Sequence, residues 1–347
     1  MARAHKGRNS RIALHIGGSS KRWIKRSLLS SGALRFGSRF LPHSVAILMY
    51  HSVMEDPAKH ANTLGDIIHP TLIFQQQMEV IARDFNPVSL DDVLLFVQGK
   101  KRLPAKTVVV TFDDGYADNF EVAAPVLNRL GIPAIIYATV GCIDKSVQPW
   151  VSRLRYSFLT TKKPRWVDAQ QQKWELGDKS ARRRAYQAAA ACCARLAGDA
   201  QESFVNDIEH DLEVEPVKES LMMTWDQARQ LIRQGHMVGS HGMSHPNLAH
   251  IRSNDLEFEL GESKKRLEHE LDGPIRHFSY PCPTLQPHWS AATVAVCRRL
   301  GYATAVTVDS GPVRNGDDPL FLHRVPAPAE VEGLRWNLEC TFLGRAT

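Results

Sequence analysis

Two hydrophobic rhythms alternate along most of this chain. Residues 45–50 (Val-Ala-Ile-Leu-Met-Tyr), 107–112 (Thr-Val-Val-Val-Thr-Phe) and 133–137 (Pro-Ala-Ile-Ile-Tyr) are short, nearly continuous apolar runs. That is the pattern of strands covered on both faces. Between the first two, Phe74, Met78, Ile81 and Phe85 fall at helical spacing, and Pro87 stops the helix. Ser89 with Asp92 reads as a capping box for the next helix. Leu127 and Leu130 belong to another, ended by Gly131. The rhythm resumes at Thr224, the N-cap of a helix carrying Trp225, Ala228, Leu231 and Ile232 and closed by Gly235. A strand over 236–240 follows. A long helix from Ser253 then bears Leu256, Leu260, Leu267 and Leu271 and ends at Gly273-Pro274. Strands over 275–280 and 302–308 flank a helix over 287–300, and a last strand covers 320–325. Strand, helix, strand at this spacing predicts βαβ units around a parallel sheet, an α/β fold.

Two segments fall outside that rhythm. Residues 148–222, rich in Arg, Gln, Ala and Trp, show helical runs at 180–196 and around 204–212. They read as a helical insertion between two strands of the main domain, of the kind that covers a site. Residues 1–43 form a basic N-terminal segment. Within 21–40, Trp23, Ile24, Leu28, Leu29, Leu34 and Phe36 are interspersed with six Lys and Arg. This is either an amphipathic helix for anionic lipid or a helix packed on the main domain.

Composition sharpens the picture in one respect. The formal net charge is +6, yet ten of the 43 basic residues precede the first acidic one, Glu55, so the remainder carries 33 against 37 acidic residues. Basicity is thus N-terminal, and nothing in the main domain calls for a nucleic-acid partner. The six cysteines show neither C-x-x-C nor a disulfide framework and suit a reducing compartment. With no apolar signal-peptide core and no membrane-spanning stretch, the expectation is a cytoplasmic protein, peripherally associated at most with the inner membrane face.

The candidate chemistry lies where strands should end, the ligand-binding edge of α/β folds. Asp113 and Asp114 stand side by side after the 107–112 strand, with Gly115 to turn the chain. Adjacent carboxylates there can divide labour between a cation and a proton, although Asp-Asp-Gly is also an ordinary turn signal. His241 and His245, four apart, follow the 236–240 strand. On one face of a helical turn they would offer two nitrogens to one metal. Two imidazoles and one carboxylate form a facial set with open positions, suited to a catalytic divalent ion. His51 similarly follows the first strand. No Ser or Cys has the neighbours of a nucleophile. A receiver-like, Mg²⁺-binding α/β protein would use the acid pair but leave the His-x-x-x-His unexplained.

Thr111-Phe-Asp-Asp-Gly115, Ser240-His-x-x-x-His-Pro246 and Phe278-Ser-Tyr-Pro281 resemble the signature motifs of polysaccharide deacetylases. This is carbohydrate esterase family 4, the NodB-homology domain, and the likeness extends over residues 45–325. It implies a distorted (β/α) barrel of about seven strands and metal-dependent removal of N-acetyl, sometimes O-acetyl, groups from a glycan or exopolysaccharide. By the resemblance, Asp113 is the general base, and Asp114, His241 and His245 hold the metal. The metal would be zinc, with nickel, cobalt or manganese as alternatives, and the Tyr280 backbone N–H would serve the oxyanion site. A catalytically inactive glycan-binding relative is the alternative.

Three points stay open at this level. The residue two after Tyr280 is Cys282 where many relatives have glycine. Either Arg276 or Arg324 would support Asp113. The general acid that protonates the leaving amine is His51 or His323. The Tyr50-His51 pair is similar to a motif of the exopolysaccharide-deacetylase subgroup, and a first strand ending at the barrel mouth favours His51.

Overall fold

The computed structural model describes residues 43–215, 217 and 219–345. The helix expected over 21–40 lies outside them. Seven strands, all paired in parallel, close into a barrel: β1 (Ser44–Tyr50), β2 (Thr107–Phe112), β3 (Ala134–Ala138), β4 (Met237–Ser240), β5 (His277–Ser279), β6 (Thr304–Ser310) and β7 (Leu322–Pro326). Closure is made by β1, which pairs with β2 from Val45↔Thr107 to Tyr50↔Phe112 and with β7 at Leu48↔Val325. The two-residue strands Asn86–Pro87 and Val313–Arg314 add short edges to β2 and β1.

The uninterrupted apolar runs follow from two cores sharing each strand. Ala46, Leu48, Tyr50, Val108, Val110 and Phe112 pack outward. They meet helices α1 (Thr71–Asp84), α3 (Ala124–Leu130), α9 (Ser253–Leu271) and α11 (Val331–Phe342). The alternate residues Val45, Ile47, Val109, Ile135, Tyr137, Val306 and Leu322 turn inward onto Leu90, Val93, Phe96 and Val97 of α2 (Leu90–Val97). This period-2 alternation fixes the site, because Asp113 and His51 continue the inward series of 109, 111 and 45, 47, 49. Gly239 has its own packing reason: a Cβ there would meet the Tyr137 ring and the His277 carbonyl.

Between β3 and β4 run α4 (Val140–Lys145), α5 (Trp150–Thr160), α6 (Lys179–Cys193), α7 (Gly198–Asp211) and α8 (Trp225–Arg233). Helices α5 to α7 share a separate cluster that includes Trp150, Leu154, Phe158, Ala185, Ala189 and Val205. Arg153 ties two of them together, donating to Glu202 and Glu209 on α7 at 2.6 and 2.7 Å.

Four features of the fold depart from the expected pattern. The insertion also holds an antiparallel hairpin, Arg165–Val167 with Lys173–Glu175. Helix α10 (Ala291–Arg299) starts later than residue 287, because Ser290 and Thr293 form the capping box. The helix α11 was not expected, although Leu334, Leu338 and Phe342 lie on one buried face. Finally, His241 and His245 lie on a loop after β4, not on a helical turn. No disulfide joins the described cysteines, and no described helix is long and apolar enough to cross a membrane.

Candidate active site

Four side chains meet at the carboxyl ends of the strands because the backbone there leaves regular geometry. Parity carries Asp113 into the barrel; the next residue would point outward. Instead Asp114 takes φ +72° and Gly115 φ +85°. Asp tolerates the left-handed region better than most residues, and glycine enters it freely. At Gly115 the tight spacing to the Ala138 backbone adds a second reason for glycine.

The histidine loop is held from behind by a buried carboxylate. Glu259 of α9 accepts from the Met243 and Ser244 amides at 2.7 and 2.9 Å and from the Ser244 hydroxyl at 2.6 Å. Its carboxylate takes the place of the carbonyl acceptors that a helix would supply to these amides. Amides of Val140 and Gly141 donate to the Gly242 and Met243 carbonyls, and Trp150 Nε1 donates to the His245 carbonyl at 2.9 Å. His245 itself has φ +57°. Glu259 escaped the sequence reading, yet a signal existed: it falls on the apolar face of α9 between Leu256, Leu260 and Ser263.

Asp114 Oδ1 lies 3.6 Å from His241 Nε2 and 3.3 Å from His245 Nε2. One donor atom from each residue falls within 4.8 Å of the others. Nδ1 of His241 is bonded to the Ser279 carbonyl at 2.8 Å. That contact makes Nδ1 the protonated nitrogen and leaves the Nε2 lone pair for a ligand. Among the described residues Asp114 Oδ1 is buried without a hydrogen-bond partner, a costly arrangement for a carboxylate oxygen that a cation would relieve. Burial pushes both imidazoles down to about 4, so they are neutral donors at pH 7. This donor set fits a divalent cation with open coordination positions.

Asp113 is held differently. Arg324, fully buried on β7, donates Nη1 to Oδ1 at 2.8 Å and Nη2 to Oδ2 at 2.7 Å. Its Nε donates to the Thr307 carbonyl at 2.8 Å. Burial alone would push the Asp113 carboxyl up, but the Arg324 charge and the paired bonds hold it well below the usual range. Arg276 points elsewhere and pairs with Asp91 at 2.9 Å.

Asp113, Asp114, His241 and His245 face a cavity of about 370 Å³ lined also by His51, Val151, Ser152, Arg155, Tyr186 and Cys282. That volume lies within the roughly 300–1,000 Å³ typical of ligand sites. The His51 carbonyl accepts from Asn119 Nδ2 at 2.7 Å, and Asp118 fixes the next two residues through the Ser52 hydroxyl and the Val53 amide. His323 is not among the lining residues; it sits against Phe321 with Nδ1 at 3.2 Å from the Asp309 carbonyl. Tyr280, expected to serve the oxyanion site through its backbone, is engaged with the neighbouring strand. Its N–H donates to the Val306 carbonyl at 3.1 Å, and its hydroxyl donates to the Leu320 carbonyl. Sheet pairing therefore consumes the amide, and the side chain packs into the core.

Comparison with known proteins gives one picture. The family model described as polysaccharide deacetylase matches residues 100–305. The Bacillus subtilis (strain 168) protein YxkH, a polysaccharide deacetylase by name, is 22% identical over 293 residues, 84% of this chain and 74% of that one. A 75-residue stretch is 32% identical to the chitooligosaccharide deacetylase of Azorhizobium caulinodans, 21% of this chain and 34% of that protein. The Streptococcus pyogenes deacetylase PplD, solved with acetate, superposes with a TM-score of 0.58 at 19% identity, covering 86% of this chain and 99% of that one. IcaB from Ammonifex degensii gives 0.54 at 18% identity, covering 85% and 97%. With the family model spanning more than half its length, this chain belongs to the polysaccharide deacetylase family.

Proposed function

We propose that the protein is a metal-dependent hydrolase that removes N-acetyl groups from a glycan, cleaving an amide C–N bond and releasing acetate. The observation that carries this reading is the convergence of Asp114, His241 and His245 on one point of the cavity, with a second carboxylate, Asp113, beside them and off the triad. Zinc held by the three donors would activate a water and polarise the acetyl carbonyl.

The chain's own residues supply the rest. Asp113, kept ionised by Arg324, accepts the proton of the attacking water. Because both its oxygens are bonded to a guanidinium, it stays fixed while it does so. His51, at the cavity wall, carries the proton to the leaving amine. The Cys282 amide, rather than that of Tyr280, supports the carbonyl oxygen, since Cys282 lines the cavity and the Tyr280 amide is spent on β6. Exopolysaccharide is the substrate class we favour, supported by the Tyr50-His51 pair and its resemblance to the exopolysaccharide-deacetylase motif.

The test is acetate release from N-acetylated oligosaccharides by zinc-loaded protein, with a chelated sample alongside. Release that stops on chelation and returns with metal is expected. Glycan binding with no acetate from any substrate or metal would make the protein an inactive binding relative instead.

A further inference from the structure

The outer wall of the cavity is not made by the barrel. Val151, Ser152 and Arg155 come from α5 and Tyr186 from α6. Arg155 and Tyr186 also line a second depression of about 630 Å³ on the far side of that wall. The two hollows are therefore contiguous through these side chains.

The second hollow is cationic. Its lining holds Arg155, Lys179, Arg182 and Arg183 against one carboxylate, Asp178. That carboxylate accepts from the Ala181 amide as the N-cap of α6. Arg182 is committed to the end of α5, donating Nη1 to the carbonyls of Phe158, Leu159 and Thr161. Arg155, Lys179 and Arg183 have no acidic partner among the described residues. The surplus is local: α6 carries Lys179, Arg182, Arg183 and Arg184 with no acid, whereas α7 carries Asp199, Glu202, Asp207, Glu209 and Asp211 with no Lys or Arg. The insertion's charge is sorted by helix, with the basic one facing the hollow.

The junction is also shaped for a guanidinium. Gly65, at φ +68°, lies under Arg155, and a Cβ there would overlap the guanidinium. The Nε of Arg155 is buried with no hydrogen-bond partner among the described residues. A long cationic side chain is thus seated between the reaction cavity and the basic hollow.

We propose that this hollow is an anion subsite for the glycan, holding a carboxylate or phosphate substituent on a sugar neighbouring the one whose acetyl group is removed. The protein would then prefer acidic N-acetylated glycans to neutral ones. This rests on the deacetylase reading for the meaning of the cavity, but binding tests it independently of catalysis. Guanidinium and ammonium groups pair with carboxylates and phosphates by charge-assisted hydrogen bonds. At exposed positions each pair is modest and weakened by salt.

The experiment measures binding by the full chain, by calorimetry, of hyaluronan hexasaccharide, which alternates N-acetylglucosamine with a uronic acid. The comparisons are chitin hexasaccharide and an N-acetylglucosamine oligomer bearing one phosphate. The variant Lys179→Gln/Arg183→Gln removes two exposed cations without touching the core, and Arg184→Gln, outside the lining residues, is the control. We expect the double variant to lose about three- to tenfold in affinity for an acidic oligosaccharide, to be unchanged toward chitin hexasaccharide, and to differ from Arg184→Gln. A loss with hyaluronan alone assigns a carboxylate, and a loss with the phosphorylated oligomer alone assigns a phosphate. Equal binding of acidic and neutral oligomers by the wild type, or equal losses in the double variant and Arg184→Gln, would overturn the proposal. Acetate release in the same samples reports separately on the deacetylase reading.

Discussion

Arg324 and Asp113, 211 residues apart, meet through two parallel hydrogen bonds of 2.8 and 2.7 Å with both side chains buried. Removing one partner of such a pair strands the other. Arg324→Met should cost about 3–5 kcal/mol of stability, the usual penalty for breaking a buried pair. It should also release Asp113 from its depressed state, so the acid limb of the pH profile of kcat/KM moves to higher pH. Arg324→Lys, which cannot form the fork, should fall between the two. Urea unfolding and the pH profile measure both effects, and an unmoved acid limb would remove Arg324 from the control of Asp113.

The two adjacent aspartates should separate by metal content. Asp113→Asn leaves the triad untouched, so zinc stays and turnover falls by roughly two to four orders of magnitude, the size of a lost general base. Asp114→Asn removes the negative charge from the triad, so zinc binding itself is weakened. Elemental analysis beside kcat distinguishes them. If the variants matched in both readouts, the division of roles would be wrong.

His241→Ala and His245→Ala should each lower zinc affinity by orders of magnitude, because among the described residues only three protein donors converge there. Glu259→Gln should do less than either, since it acts on the loop between them through Met243 and Ser244. Full zinc occupancy in both alanine variants would dismiss the site.

The acid is tested by two histidines in different settings. His51→Ala should depress kcat with metal content and KM little changed, as expected for a group needed when the amine departs. His323→Ala, away from the cavity lining, should leave kcat near the wild-type value. The reverse result, with zinc retained, would hand the role to His323.

Metal-free protein should become less stable as pH falls from about 6.5 to about 4. Burial pushes His241 and His245 down to about 4, whereas an unfolded chain's histidines titrate near 6.5. Between those values the unfolded state binds more protons, so acidification favours unfolding. Above about 6.5 these two residues contribute no slope. A His241→Gln/His245→Gln variant should show a flatter dependence of Tm on pH over that window, and an identical slope in wild type and variant would refute the assignment.

Much of the architecture was legible because it is written in local periods. Apolar runs a few residues long read as strands buried on both faces, and the stripe from Leu256 to Leu271 as one long helix. The acid pair and the His-x-x-x-His were equally legible, since each is contiguous and follows a strand. Glycine, capping residues and proline marked most boundaries, although Ser290 was passed over as the start of α10. The structure decided everything that depends on which side of a closed barrel a residue faces. Strand parity turned Asp113 and His51 inward, and the left-handed backbone at Asp114 brought its carboxylate to the two imidazoles. Arg324 was chosen over Arg276 because β7 closes the barrel beside β1, a pairing no local pattern announces. The bond from the Tyr280 amide to the Val306 carbonyl was also decided by the structure, since such bonds depend on a neighbouring strand's register. The basic hollow depended on how α5 and α6 pack against the Gly65 turn. Spacing along a chain reports which residues share a face; it carries no distance between faces that only tertiary packing brings together.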